Sequence, residues 1–194
     1  MLGIKDLIYR YRHNRGFGVQ SPYAFHFVTA VVAEKHSFYA YPSINRAAAK
    51  CGCKAARARL LFRVANYARP HSIIMCEPNE AAVCALTMAR PSAPAFVLDA
   101  SQHNISSALG YEQSLGLLYV GASKNYAAVV KQAMEHASSS SIIIVDGIHR
   151  SREKRNWWQR VKQNPAVVVT FDLYSVGILF FDKNYRKQHY TLKK

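Results

Sequence analysis

From Ser72 onward, short apolar runs alternate with stretches of helical period, and this alternation leaves few architectures open. Ser72-Ile73-Ile74-Met75-Cys76 reads as a strand, Ala81 to Ala89 as a helix, and Ala95-Phe96-Val97-Leu98 as a second strand. A helix over about Asn104 to Gln113 leads to Leu117-Leu118-Tyr119-Val120, a strand closed by Gly121. Tyr126, Val129, Val130, Ala133, Met134 and Ala137 then recur at three- and four-residue spacing, giving a helix whose apolar stripe faces a sheet. The polar run Ser138 to Ser141 is expected to end it. Ile142-Ile143-Ile144-Val145 is β-branched and wholly apolar, as suits a central parallel strand covered on both faces. Such repetition of strand and helix predicts an α/β domain with a mostly parallel sheet between helical layers.

The remainder completes the pattern. A helix from about Ser151 to Gln163 turns Trp157, Trp158 and Val161 inward. Ala166 to Phe171 and Val176 to Phe181, joined by Asp172-Leu173-Tyr174-Ser175, predict an antiparallel hairpin at the sheet edge. Before residue 70 the character differs. Ala55 to Ala68 reads as a helix with a Leu60, Leu61, Val64 and Ala68 stripe beside Arg57, Arg59 and Arg63, and Tyr9 to Tyr41 is too rich in aromatics for a linker. Residues 1–70 are expected to form a basic, aromatic-rich helical lead-in to a domain over 71–194, the two making one compact body.

With 194 residues and half of them hydrophobic, the chain can build a core and is not intrinsically disordered over most of its length. Its formal net charge is +15, unevenly placed. Residues 1–70 carry 12 Lys and Arg against 2 acids and residues 146–194 carry 11 against 4, while the middle is close to neutral. That field favours anionic partners such as nucleic acid, phosphorylated ligands or acidic lipid without specifying one. No apolar run reaches the ~18 residues of a membrane span, and Met1-Leu2-Gly3-Ile4-Lys5-Asp6 lacks the features of a signal peptide, so a soluble, cytoplasmic protein is expected. Cys51 and Cys53 flank Gly52 between two lysines, but no second Cys or His pair follows at ligand spacing, so no metal site is expected.

In open α/β sheets ligands bind outside the carboxyl ends of the strands, which makes Glu77, Asp99 and Asp146 candidates for a shared crevice. Asp146 and His149 lie on one strand-end loop. A carboxylate there could orient the imidazole as a general base, or the two residues could simply end the strand and cap the next helix. His149 to Arg155, rich in Arg and Lys and followed by two tryptophans, could contact phosphates and stack on unpaired bases, or its tryptophans could be core.

Three stretches together resemble a bacterial family of class I S-adenosylmethionine-dependent methyltransferase-like proteins. They are Arg15-Gly16-Phe17-Gly18-Val19-Gln20-Ser21-Pro22-Tyr23-Ala24-Phe25, the run Leu61-Phe62-Arg63-Val64-Ala65-Asn66-Tyr67, and Asp146 to Phe181. Asp146-Gly147-Ile148-His149 is similar to the family's Asp-Asp-Ile-His, and Val169-Thr170-Phe171-Asp172-Leu173 to the start of its closing hairpin. The resemblance implies a three-layer Rossmann-like fold and, by default, methyl transfer from S-adenosylmethionine to an acceptor that the sequence does not name. Between Asp99 and Leu117 there is room for a single helix, so one strand-helix unit is expected to be missing.

Against that family the cofactor motif is degraded. Glu77-Pro78-Asn79-Glu80-Ala81 stands where the resemblance places a glycine-rich turn, and Glu77 and Ala81 replace two glycines. Side chains and carboxylates then occupy space that a nucleoside needs, and Pro78 removes a donor. Gly121-Ala122-Ser123 replaces an Asp-Gly-Asn. The expected cofactor contacts are Glu77, Asn79 and Asp99, with Asp99 on the ribose hydroxyls; Gln20 and Ser21 are the expected substrate contacts, and Asp146 and His149 the catalytic pair. The favoured expectation is a pseudoenzyme with lost or reduced S-adenosylmethionine binding. An active small methyltransferase with an altered pocket, or a basic module for nucleic acid or protein, are the alternatives.

Overall fold

A computed structural model describes residues 21–98, 105–109 and 114–192. The first element among the described residues is helix α1 (Pro22–Phe27), which widens into a π-helical turn at Val28–Val32. Ser21 caps α1 through its hydroxyl, 3.4 Å from the Ala24 N–H, and Pro22 sits where a helix needs no donor. Helices α2 (Tyr41–Lys50) and α3 (Ala55–Ala68) follow. The expected α3 bounds agree with those observed.

The α/β alternation then appears as predicted: β1 (Ile73–Cys76), α4 (Glu80–Ala89), β2 (Ala95–Leu98), the short α5 (Ile105–Leu109), β3 (Leu115–Val120) and α6 (Tyr126–Glu135). It continues with β4 (Ala137–Asp146), α7 (Arg152–Gln163), β5 (Val169–Asp172), β6 (Val176–Phe180) and β7 (Gln188–Thr191). Together the strands form one seven-stranded sheet in the order β2-β1-β3-β4-β6-β5-β7. β2, β1, β3 and β4 run parallel, β6 is antiparallel to both its neighbours, and β7 pairs parallel with β5. Two apolar clusters lie against the sheet. One packs α1 to α4 on one face through Phe27, Ile44, Leu61, Phe62 and Leu86, and the other packs α5, α6 and α7 through Ile105, Val130 and Trp158. The result is the expected three-layer Rossmann-like arrangement with a C-terminal antiparallel hairpin.

Two local expectations are corrected. The β5–β6 hairpin is not at the edge, because β7 adds a further strand outside β5. Its polar, mixed composition, Gln188-His189-Tyr190-Thr191, hid it from apolar patterning. Ser138 to Ser141 do not form a break but lie in the first half of β4's extended backbone. They span the register shift between Ala137, which pairs with Leu115, and Ile142, which pairs with Leu117, and Ser141 Oγ accepts the Ser138 N–H at 2.7 Å and donates to the Leu115 carbonyl.

The opposite edge is formed by β2. β2 pairs only with β1 among the described residues, and its Phe96 and Val97 are 40% and 55% exposed. The chain returns from β2 to β3 through α5 without an intervening described strand.

The arginines of α3 also differ from the expected exposed basic face. Arg63 is buried, its Nε donating to the Val31 carbonyl at 2.6 Å and an Nη to the Tyr41 hydroxyl at 2.9 Å. Arg59 donates to Asn45 Oδ1 at 2.8 Å and lies over the Tyr41 ring. Burying a guanidinium is tolerable only with such partners, so Arg63 serves internal docking rather than the surface, while Lys35, Arg46, Lys50, Lys54 and Arg69 stay exposed.

Candidate functional site

The chain leaves β1 for β2 on one side and returns to β3 on the other, so the topological switch lies between β1 and β3, where an open α/β sheet normally holds its ligand. In this protein main-chain hydrogen bonds continue the β1–β3 pairing past the strand ends. The Gly121 N–H donates to the Cys76 carbonyl at 2.9 Å and the Ala122 N–H to the Glu77 carbonyl at 3.4 Å. A Cβ on Gly121 would stand 2.1 Å from the Glu77 carbonyl oxygen, so glycine is required by the close approach. Glu77 itself adopts φ 47°, the left-handed conformation that a glycine takes at little cost. The turn thus carries a carboxylate at a position whose backbone suits glycine.

Helix α4 begins directly after this turn. Asn79, one of the expected cofactor contacts, is its N-cap, with Oδ1 accepting the Ala82 N–H at 2.8 Å. The Ala81 N–H is directed at the Cys51 sulfur. Glu80 in the first turn complements the helix dipole and meets Lys50 at 3.1 Å. The Ala82 and Val83 donors at this helix end are therefore engaged by Asn79. Asp99 and Gln20, the other expected cofactor and substrate contacts, lie outside the described residues. Ser21 is occupied as the α1 cap. Ser123, in the segment that departs from the family pattern, is buried and accepts the Asn125 N–H at 3.1 Å.

The carboxyl ends of β4 and β5 are organised by charge. Asp146 is buried, and a single terminal nitrogen of Arg57 reaches both its carboxylate oxygens at 2.9 and 2.8 Å. Lys154 reaches back from α7 to donate to the Asp146 carbonyl at 2.7 Å, with its ammonium over the Tyr126 ring. Burial pushes the Lys154 ammonium below its ordinary pKa, although the nearby Asp146 opposes this. Tyr119, buried in β3, has its phenol pushed up by desolvation and by Asp146.

The acid that meets His149 is Asp172 on β5, not Asp146. His149 Nε2 lies 2.7 Å from Asp172 Oδ2, and the imidazole stacks on Tyr174 with centroids 5.0 Å apart and planes 13° from parallel. The other Asp172 oxygen accepts the Tyr174 N–H at 2.9 Å. Because a carboxylate can only accept, Nε2 carries the hydrogen and Nδ1 is left as the basic nitrogen. Sequence reasoning missed Arg57, Asp172 and Tyr174. The signal available for Asp172 was its position at the end of an apolar run, equivalent to that of Asp146; Arg57 gave none, being one basic residue among several on its helix.

In α7, Ser151 caps the helix by accepting the Lys154 N–H at 3.1 Å. Trp157 and Trp158 are buried in the second core cluster, Trp158 completely. They do not form a stacking platform for bases, and Lys154 is likewise buried. Among the described residues no group of three or more His, Cys, Asp or Glu is placed to hold a metal ion, and no helix is long and apolar enough to cross a membrane.

No family model matches the chain, and no curated protein matches it in sequence. Solved structures match it in three dimensions. The SAH-bound methyltransferase PaMTH1 of Podospora anserina superposes with a TM-score of 0.54 at 12% identity, over 84% of this chain and 96% of that one. The O-methyltransferase TomG of Streptomyces achromogenes, involved in tomaymycin synthesis and solved with SAM, gives 0.52 at 11% identity, over 75% of this chain and 91% of that one. At these identities the likeness concerns the fold, and the chain has the Rossmann-like α/β fold of class I methyltransferases.

Proposed function

We propose that this protein is a methyltransferase-like pseudoenzyme, in which S-adenosylmethionine binding is lost or strongly reduced. One observation carries the reading: the β1–α4 turn is engaged from within, by the Gly121 N–H on the Cys76 carbonyl, the Ala122 N–H on the Glu77 carbonyl and Asn79 on the Ala82 N–H of α4. A cofactor carboxylate arriving there would have to displace those partners while approaching Glu77 and Glu80. The residues present do not fit the group. Titration of the full chain with S-adenosylmethionine and S-adenosylhomocysteine by calorimetry is expected to give no saturable heat through the micromolar range. Saturable micromolar binding would overturn the reading.

A second reading, an active methyltransferase with an altered pocket, is favoured by the His149–Asp172 pair. Asp172 fixes the ring and its tautomer and Tyr174 supports its face, so Nδ1 could take a proton from an acceptor hydroxyl. Incubation with methyl-labelled S-adenosylmethionine and cell extract, in wild type and His149→Asn, separates the readings. Label transferred by the wild type and abolished in the variant would favour the enzyme; no transfer is expected.

A further inference from the structure

Cys51-Gly52-Cys53 lies between α2 and α3, at a place the methyltransferase-like reading leaves unused. Helix α2 ends there, with the Cys51 N–H on the Ala47 carbonyl at 3.1 Å, the Gly52 N–H on Ala49 at 3.2 Å and the Cys53 N–H on Ala48 at 2.8 Å. Gly52 has φ +65°, the left-handed residue that commonly ends a helix, and the space around its Cα is open. This turn folds the two thiols over the same stretch of backbone: Cys51 Sγ donates to the Ala48 carbonyl and Cys53 Sγ to the Cys51 carbonyl, each at 3.7 Å. Both are partly exposed, whereas Cys76 is buried in β1.

The two sulfurs are not equivalent. Cys51 faces the Ala81 N–H at the start of α4 and the N–H groups of its own turn. Desolvation pushes its thiol up, but hydrogen bonds from Cys53 and from those backbone groups outweigh it and hold the thiol below the usual range. Cys53 is pushed up by its hydrogen bond to Cys51 and by burial, against the pull of Arg57. Lys50 and Lys54 flank the pair in sequence and both are exposed. A reactive thiol in a partly exposed, electropositive setting beside a second thiol is the arrangement that exchanges disulfides.

We propose that Cys51 and Cys53 form a dithiol–disulfide pair that exchanges with small-molecule disulfides of the glutathione type, Cys51 attacking and Cys53 resolving. In the first step the Cys51 thiolate bonds to one sulfur of the external disulfide, whose S–S bond breaks and releases one thiolate. In the second, Cys53 loses its proton to solvent and attacks the Cys51 sulfur, forming the Cys51–Cys53 bond and expelling the second external thiolate. Two cysteine thiols are oxidised, one external disulfide is reduced to two thiols, and the electrons balance. Gly52 supplies the backbone freedom that a ring closed across a single residue demands.

The test equilibrates the full chain in reduced and oxidised glutathione at stepped ratios, quenches with acid, alkylates free thiols and maps the products by mass spectrometry after trypsin, which cuts at Lys50 and Lys54. Both thiols are expected to disappear together, with Cys51-Gly52-Cys53-Lys54 becoming two hydrogens lighter. Cys53→Ser should accumulate a glutathione adduct on Cys51; Cys51→Ser should leave Cys53 alkylatable at the same ratio. Thermal unfolding of both variants checks that the fold persists. Thiols that stay alkylatable in the oxidised buffer, adducts on both cysteines of the wild type without an internal bond, or an adduct that forms on Cys53 first would each overturn the proposal. These readouts need no S-adenosylmethionine, so they stand apart from the cofactor titration.

Discussion

The loops after β1 and β3 close by main-chain contact, whereas those after β4 and β5 close by charge. In the first region Gly121 lies on the Glu77 carbonyl and Asn79 caps α4, so shape and short-range hydrogen bonds leave little to rearrange. In the second, Arg57 holds Asp146, Lys154 holds the Asp146 carbonyl, and Asp172 holds His149. The difference teaches that one sheet can pack its strand ends through backbone at one pair of strands and through ordered charged groups at the next. A packed backbone contact cannot respond to a ligand without moving, but a charged cluster can exchange partners.

The largest effect that sharpens this contrast is expected at Asp146. Replacing it by Ala strands the Arg57 guanidinium and removes a buried carboxylate, and should cost about 3–5 kcal/mol in urea unfolding. If Arg57→Ala and Asp146→Ala prove additive in a double-mutant cycle, the charge-closed description of this region fails. Next comes Gly121→Ala, expected to cost about 1–3 kcal/mol because the new methyl meets backbone rather than a side chain that can swing away. An unchanged denaturation midpoint there would show that the β1–β3 closure is loose. Glu77→Gly should do the reverse and stabilise by about 0.5–1 kcal/mol, since it relieves a non-glycine residue at φ 47° even after the added freedom of the unfolded chain is charged against it. Loss of stability in that variant would mean that the Glu77 carboxylate itself holds the turn.

The smallest effect is one of pH. His189 in β7 lies 3.0 Å from Thr170 Oγ1, and desolvation together with Lys162 and Lys187 pulls its pKa below the ordinary value. The unfolded chain then binds a proton more readily than the native one, so this residue's contribution to stability falls as pH drops through about 6.5 toward the depressed native value. His189→Gln should flatten the slope of stability against pH in that window. An identical slope would remove His189 as its source.

Much of the fold was legible because central strands and amphipathic helices obey strong periodicities. Ile142 to Val145 announced a buried strand, and α3 was bounded correctly by its leucine stripe. β7 escaped because half-exposed edge strands need no apolar run, and Ser138 to Ser141 misled because hydroxyls can satisfy extended backbone as well as interrupt a helix. At the site, strand-end positions marked Asp146 and His149, but not which acid would meet the imidazole. Asp172 lies 23 residues beyond His149 and reaches it only because β6 places β5 near β4. Arg57, 89 residues from Asp146, depended on how the lead-in helices dock across the sheet, which local spacing does not encode.

Both tryptophans of the chain reside in α7, on the side of the sheet that also carries α5 and α6. Intrinsic indole emission will therefore watch that layer alone. The face that carries α1 to α4, with the paired thiols nearby, is optically silent apart from its tyrosines, and an unfolding curve followed by fluorescence could miss early loosening there. Far-ultraviolet dichroism recorded alongside would reveal whether the two sides melt together.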